Sequence, residues 1–493
     1  MADYGVAAHA QVRPDKIAIV HGTRRVTYRE LDDRAARAAA VLSGHGVGRG
    51  GARLGIALGN RPEWIVAALG AARLGAQVVP IPGGATTDER EYFCTDGEVA
   101  YLIDEASLAE FVAELDAVDV PTAPDWAPDY VTLRAYTSGT TGRPKAVLRP
   151  ETHAAQAIEG MVRYYTWYEL DAPEEVNITG SPLHHIAGFS GLHSALIFGH
   201  TAVLLDHFDA TEWLAAVARE RVTYSWCAPV HLYRLMAVGD DVRAAADVSS
   251  LKRVLHGSAP CAPSLKRAVI DFLPDGALWE TYGGTETMGT VITPDEWLAK
   301  PGSVGKAAPG STIKIYAADH ARADADELAV GEVGLIYIGS DWGRGFRYEG
   351  PEELTESVYR GNLATLGDLG YLDEDGYLFL ADRHKDMVIT GGSNVYPAEV
   401  ESVLVTHPAI AEAAVIGLPE DEYGEIVTAV VVLNASSGPN AVEPLTDDDV
   451  IAFAREHLVR YKAPRRVEFV DELPRDPMGK ILKRELRAQF SVS

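Results

Sequence analysis

A chain of 493 residues is too long for one ordinary hydrophobic core and predicts two or more domains. Apolar residues make up 47% and charged residues 23%, the balance of a globular protein, and apolar runs such as "AALGAARLGAQVVP" are too short and too broken by Gly and Arg to span a membrane. The net charge of −27, with no Lys/Arg-rich tail, repels a polyanion over most of the surface and excludes nucleic-acid binding as the leading function; a small anionic substrate would need a local cluster of donors.

The opening "MADYGVAAHAQVRPDK" has no basic start followed by an apolar run, so no signal peptide is expected. "KIAIV" and "VTY" predict strands, and "RELDDRAARAAAVLSGHG" a helix ending at Gly. "ARLGIAL" predicts a strand, "RPEWIVAALGAARLG" a helix and "QVVPI" another strand. This alternation implies an α/β domain with largely parallel pairing, and it recurs through "TAVLLD", "TEWLAAVARE", "VTYSWCA" and "LKRVLHGS". The aromatic run "YYTWYEL" (164–170) is expected on a helix face divided between core and surface. From Gly331 the texture changes to antiparallel strands with Gly turns, in "GEVGLIYIGS" and "DEDGYLFLADR". Beyond Arg383 a smaller unit follows, with "EIVTAVVVLN" as a strand, "TDDDVIAFAREHLV" as a helix and "NASSGPNAVEPLTDD" as an exposed loop. The predicted division is a large domain over 1–384 and a lid-sized domain over 385–493. Cys94, Cys227 and Cys261 are scattered, which fits a reducing, cytoplasmic setting and argues against structural zinc.

Residues 136–147, "YTSGTTGRPKAV", concentrate hydroxyls, glycines and cations. The P-loop template fails, because only two residues separate Gly139 from Gly142 and Lys145 is followed by Ala146 rather than Ser or Thr. A flexible linker is disfavoured, since Pro144 stiffens the segment and "AV" leads into a strand. Two readings remain: a loop whose hydroxyls and backbone N–H groups surround phosphate oxygens, with Arg143 and Lys145 as cations, or an ordinary Ser/Thr-rich turn.

The segment resembles the signature loop of the adenylate-forming superfamily, which includes acyl- and aryl-CoA synthetases, luciferases and peptide-synthetase adenylation domains. "PDKIAIVHGTRRVTYREL" is similar to its N-terminal strand pair, "SPLHHIAG" (181–188) to its PLFHxxG element, "GSAP" (257–260) to its GGAP turn and "TYGGTET" (281–287) to its YGMTE segment. "LGDLGYLDEDGYLFLADRHKDMVITGGSNVYPAEVE" resembles the block closing the large domain, and "YKAPRRVEFVDELPRDPMGKILKREL" the C-terminal lysine segment. The resemblance runs from Pro14 to Arg487. It implies an α/β fold with a large multi-sheet N-terminal domain and a small α+β C-terminal lid domain. It also implies an AMP-forming acid–thiol ligase, an enzyme that converts a carboxylic acid and ATP to an acyl-adenylate and pyrophosphate and passes the acyl group to a thiol. ATP, Mg2+ and coenzyme A are the implied cofactors.

By this resemblance Thr137, Ser138, Gly139, Thr140, Thr141, Gly142 and Lys145 hold the β- and γ-phosphates, and Gly257, Ser258 and Ala259 border the nucleotide. Tyr282 offers its face to adenine, Thr285 a hydroxyl to the α-phosphate and Glu286 a carboxylate to Mg2+. Asp368 takes the ribose hydroxyls with Arg383 nearby, and Lys480 bridges carboxylate and α-phosphate. His185, with Gly188, Gly257, Gly283 and Gly284, borders the acid, and His185 gates that pocket. Lys385 falls at the hinge about which the small domain turns, and Gly391 and Gly392 meet the pantetheine arm. The bland readings stand beside these: Asp368 as a turn former, Lys385 and Lys480 as solvated surface lysines, His185 as a packed turn residue. No GxSxG elbow supports a Ser–His–Asp triad around His184 and His185.

This chain departs from the family pattern in three places. Gly284 stands where the family has a bulky residue, which opens or reshapes the acid pocket. "DPM" replaces the usual hydroxyl-bearing residues before Gly479–Lys480. Only residues 108–135 lie between "YLIDEAS" and the phosphate loop, which implies a trimmed large domain. The preferred expectation is an acid–CoA ligase acting on an aryl or medium-chain acid. Loading of a carrier protein and nitrite-dependent diazotisation of an aromatic amine are the adenylating alternatives. Retention of Glu286, Asp368, Arg383 and Lys480 argues against a non-catalytic nucleotide-binding relative. None of these motifs fixes an oligomeric state.

Overall fold

The computed structural model describes residues 4–48, 50, 52–120, 127–137, 144–149, 153–317, 327–383, 386–390, 393–420, 423–434, 445–475 and 480–491. The predicted rhythm of the first part of the chain is present but divides between two sheets. Ile17–His21 and Arg24–Thr27 pair antiparallel at the edge of the largest sheet, whereas Arg53–Ala57, Val78–Pro80 and Val99–Asp104 form a separate parallel sheet. Helix Tyr28–Gly44 starts at a reciprocal cap: the Thr27 hydroxyl accepts from the Glu30 N–H, and the Glu30 carboxylate accepts from the Thr27 N–H. Its buried stripe of Leu31, Ala35, Ala38 and Leu42 packs on helix Pro62–Arg73. The two helices approach so closely that a Cβ on Gly70 would lie 2.7 Å from the Ala38 Cβ.

Among the described residues the largest sheet has fourteen strands. Its central run, Thr201–Leu204, Val176–Thr179, Tyr224–Cys227, Arg253–His256 and Leu278–Gly283, is parallel throughout. Met288–Ile292 then pairs antiparallel with Leu278–Gly283, and an antiparallel run continues through Ser303–Ala307, Leu378–Arg383, Leu363–Leu372, Gly334–Ser340 and Ser311–Tyr316. The strand carrying "TYG" is therefore the seam between a parallel and an antiparallel half. In open α/β sheets the crevice beyond the carboxyl ends of parallel strands is where ligands sit. Separate apolar cores cover the two faces: Trp279, Leu255 and Tyr224 meet helix His153–Trp167 on one, and Leu278, Val254 and Cys227 meet helix Ala210–Glu220 on the other. Tyr165 and Tyr168 are buried while Trp167 is exposed, the divided face expected of "YYTWYEL".

After Arg383 a five-stranded sheet starts at Val388. It pairs Val388–Thr390, Ser393–Val395, Gly424–Leu433 and Ile410–Glu420 antiparallel, with Arg466–Phe469 parallel to Gly424–Leu433. Helices Pro397–Leu404 and Asp447–His457 cover one face of it and Lys483–Phe490 the other. Residues 435–444 of the predicted loop lie outside the described residues. The three cysteines are free thiols, and no helix among the described residues is long and apolar enough to cross a membrane.

Candidate active site

The strands flanking the signature loop form a hairpin. Ala135–Thr137 pairs antiparallel with Lys145–Leu148, placing Thr137 opposite Lys145, and Arg347–Tyr348 adds a third strand beside Lys145–Leu148. Ser138, Gly139, Thr140, Thr141 and Gly142 lie outside the described residues. At the loop's far end Tyr92 donates its hydroxyl to the Pro144 carbonyl at 2.8 Å. The Lys145 ammonium stands 5.7 Å from the centre of the Tyr348 ring, within cation–π range.

Beyond the seam strand the chain turns sharply, the Gly284 N–H donating to the Thr287 carbonyl at 2.8 Å. Glu286 is buried, and its Oε1 accepts from the Tyr348 hydroxyl at 2.9 Å. Its Oε2 lies 3.0 Å from the point a Cβ on Gly284 would occupy, and Gly284 itself is exposed. The Leu366 methyls stand 3.3 and 3.6 Å from that same point, so Leu366 supplies apolar bulk from another strand. Tyr282 is buried with Val304, Ile336 and Ile338 and donates its hydroxyl to Asp368 Oδ2 at 2.9 Å. It is held by its edge beneath the site. Asp368 pairs in register with Arg383, so the two proposed ribose contacts start from directly opposed backbone positions; the Arg383 side chain lies outside the described residues.

Arg149, which carried no motif signal, emerges just past the hairpin. It donates to the carbonyls of Glu286 and Gly345 from Nη1, at 2.9 and 3.1 Å, and to that of Thr285 from Nη2, at 2.5 Å. His184 and His185 follow Pro182 and Leu183, with ring centres 4.3 Å apart, and His185 precedes helix Ile186–Phe198. Burial, reinforced by His185, pulls the His184 pKa down to about 3, so its imidazole is neutral at physiological pH. Gly188 packs where a Cβ would come 2.4 Å from the Pro182 carbonyl oxygen, and Gly257 likewise against the Thr281 carbonyl oxygen. Ser258 turns out with φ +70°, a left-handed conformation rare for serine that projects it from the strand end.

These segments open on one cleft of about 900 Å3. Thr137, Lys145, His185, Ser258, Gly283, Gly284, Thr285, Glu286 and Lys480 all line it, so residues far apart in the chain converge. Gly188, Gly257, Tyr282 and Asp368 are not among its lining residues; Ala259 is half-buried outside it. Lys385, Gly391 and Gly392 lie outside the described residues. The described lining residues include four cations, Lys145, Arg149, Arg344 and Lys480, and one acidic side chain, Glu286; Arg344 is paired with Glu356, which does not line the cleft. A chain of net charge −27 thus gathers positive charge at one crevice. Among the described residues no group of three or more His, Cys, Asp or Glu could hold a metal ion by itself. One anchored carboxylate does suit Mg2+ that completes its shell with phosphate oxygens and water.

Comparison with known proteins matches this architecture along the chain. A family described as AMP-binding enzyme matches residues 6–343, and its C-terminal domain matches 399–480. The chain is 34% identical to a feruloyl-CoA synthase of Amycolatopsis sp., over 98% of this chain and 97% of that one. It is 31% identical to a 2-succinylbenzoate–CoA ligase of Bacillus velezensis, over 97% and 96%. Among solved structures, o-succinylbenzoate CoA synthetase from Bacillus subtilis in complex with its acyl-adenylate intermediate superposes with a TM-score of 0.84 at 27% identity, covering 98% of this chain and 97% of that one. An amide bond synthetase from Marinactinospora thermotolerans superposes with a TM-score of 0.81 at 28% identity, over 98% and 99%. With both family regions matched in order on the predicted fold, the chain belongs to the AMP-binding enzyme family.

Proposed function

We propose that this chain is an ATP-dependent, AMP-forming acid–CoA ligase. The observation that carries the reading is the cationic cleft with one buried carboxylate, built at the carboxyl end of the sheet's seam strand in an acidic protein. Joining a carboxylate to ATP brings two anions together, so the protein's task is to position them and offset their charge. Lys145 and the hairpin loop hold the β- and γ-phosphates, and Asp368 with Arg383 takes the ribose hydroxyls. Thr285 donates its hydroxyl toward the α-phosphate, and Lys480 bridges that phosphate and the acid. Glu286 and the phosphates would hold Mg2+, which supplies positive charge to the leaving pyrophosphate. A carboxylate oxygen bonds to the α-phosphorus as the bridging oxygen to the β-phosphorus departs. The thiolate of CoA then attacks the acyl carbon and AMP leaves.

The domain boundary is proposed at 384/385, with Lys385 as the hinge that brings Gly391 and Gly392 to the pantetheine arm for the second step. His185 gates the acid, whose pocket is walled by Ile186, Ala187, Trp226 and Met288 and suits an aryl or medium-chain acid. Cytoplasmic residence follows from the substrates. The likeness to an amide bond synthetase supports a second reading, with an amine as acceptor.

A pyrophosphate-release screen of carboxylic acids tests the proposal, with CoA, a carrier protein or an amine as acceptor and a separate arm of nitrite plus an arylamine. Acid-dependent release coupled to CoA consumption is expected. Lys480→Ala is expected to lower adenylation by about two to three orders of magnitude, the scale of a lost transition-state cation, while still converting a supplied acyl-adenylate to thioester. No release with any acid, or equal loss in both half-reactions, overturns the respective assignment.

A further inference from the structure

Arg149 places a guanidinium between the hairpin and the turn that follows the seam strand. Among the described residues it forms no ion pair, and the three acceptors of its hydrogen bonds are main-chain carbonyls: Thr285, Glu286 and Gly345. The need for such a donor is local. Thr285 and Glu286 are the central residues of the turn closed by Gly284 and Thr287, so their carbonyls fall outside the strand ladder. Unsatisfied carbonyls in a partly buried turn cost free energy or move. On the neighbouring strand, Tyr348 holds the same residue by its side chain, at Glu286 Oε1. The three-stranded sheet that carries the phosphate hairpin therefore grips Glu286 twice, by backbone through Arg149 and by carboxylate through Tyr348.

We propose that Arg149 is a positioning residue for the adenylation half-reaction, fixing the Thr285 hydroxyl and the Glu286 carboxylate relative to Lys145 on the same sheet. The inference rests on the adenylating function proposed above. Arg149 touches neither phosphate nor metal; it acts through the two residues whose carbonyls it holds. Its place at the border of the cleft and of an adjoining cavity of about 90 Å3 allows a competing role, pairing with a second anionic group on the acid, and the two roles separate by experiment.

The variants are Arg149→Met and Arg149→Lys, with thermal unfolding confirming that each is folded. The measurements are MgATP binding by calorimetry, the Mg2+ dependence of pyrophosphate release, KM for the acid, and thioester formation from supplied acyl-adenylate. Losing charge-assisted hydrogen bonds predicts for Arg149→Met an affinity for MgATP weakened about tenfold, a half-saturating Mg2+ raised about as much and adenylation slowed by about two orders of magnitude. Thioester formation is expected to stay within about twofold, because its chemistry needs neither metal nor α-phosphate charge transfer. Arg149→Lys is expected to recover part of the loss, since an ammonium reaches some of the same carbonyls. A wild-type Mg2+ requirement in Arg149→Met overturns the proposal. So does a loss confined to KM for the acid, which would make Arg149 an acid-binding residue, and so does an equal loss in both half-reactions, which would make its role structural. Wild-type protein that binds no MgATP would instead overturn the adenylating function itself, and with it this inference.

Discussion

Tyr282 is buried beside the cleft and anchors Asp368, the residue proposed to take the ribose hydroxyls. The tyrosine hydroxyl fixes Asp368 Oδ2 from below, in a layer walled by Ile336 and Ile338. The chain neighbour of Asp368, Gly367, lines the cleft. Tyr282→Phe keeps the ring and deletes one hydrogen bond to a carboxylate, worth about 1.5 kcal/mol. The expected result is a KM for ATP raised about tenfold with KM for the acid unchanged; an unchanged KM for ATP shows that Asp368 needs no such anchor. The Tyr–Gly–Gly stretch was legible as a nucleotide-site candidate, but the tyrosine's orientation was not. The ring is buried with Val304, Ile336 and Ile338, and its hydroxyl is engaged by Asp368. The cause is the strand's alternation, which at this register turns Tyr282 inward and Gly283 toward the cleft. The surroundings of Gly284 were not legible either. The bulk beside it comes from Leu366, more than eighty positions away, and no local pattern links the two.

One buried ion pair ties the elements behind the nucleotide turn together. Lys266, on helix Pro263–Phe272, donates to Glu280 Oε2 on strand Leu278–Gly283, and its ammonium stands 4.8 Å from the Trp297 ring. Burial pulls the Lys266 pKa down and pushes the Glu280 pKa up, each shift opposed by the partner's charge. The helix after "GSAP" is thus pinned to the strand that carries "TYG". Removing one partner strands a buried polar group, so Lys266→Met is expected to destabilise the large domain by about 3–5 kcal/mol in urea unfolding. Adding Glu280→Leu should restore most of that loss; a double variant as unstable as the single one would show that packing, not charge, holds the joint. Neither the helix after "GSAP" nor the strand before "GGT" carried a motif of its own, and only the two turns that flank them were legible. The Lys266–Glu280 pairing was not legible, because the two residues stand fourteen positions apart on different elements and no local pattern links them.

At the scale of the molecule, the order of strands and helices was legible because hydrophobic period and turn residues are local. The splitting of the first strands into two sheets was not, since it depends on which face each helix covers. Interior histidines show another collective property hidden from the sequence. Burial draws the pKa of His193 down to about 4, His200 to about 3 and His231 to about 4, and lowers that of His256 as well. All four are buried in the large domain, and neither ring nitrogen of His256 has a hydrogen-bond partner among the described residues. Their folded-state pKa values lie below the unfolded value near 6.5, so below that pH the unfolded chain binds more protons than the folded one. Stability contributed by the neutral rings is therefore present above about pH 6.5 and is lost as pH falls toward 4. At pH 5 each ring held neutral costs about 2 kcal/mol relative to neutral pH, and four together approach the whole stability of an ordinary domain. The urea midpoint of the large domain is expected to fall steadily from pH 7 to pH 5. His256→Leu should leave stability at pH 7 unchanged or raised, because it removes an unsatisfied polar ring, and should flatten the acid slope by about one quarter of the four-ring total. A midpoint constant between pH 7 and pH 5 would mean that these rings take up protons in the folded state, through water reaching the interior that this packing excludes.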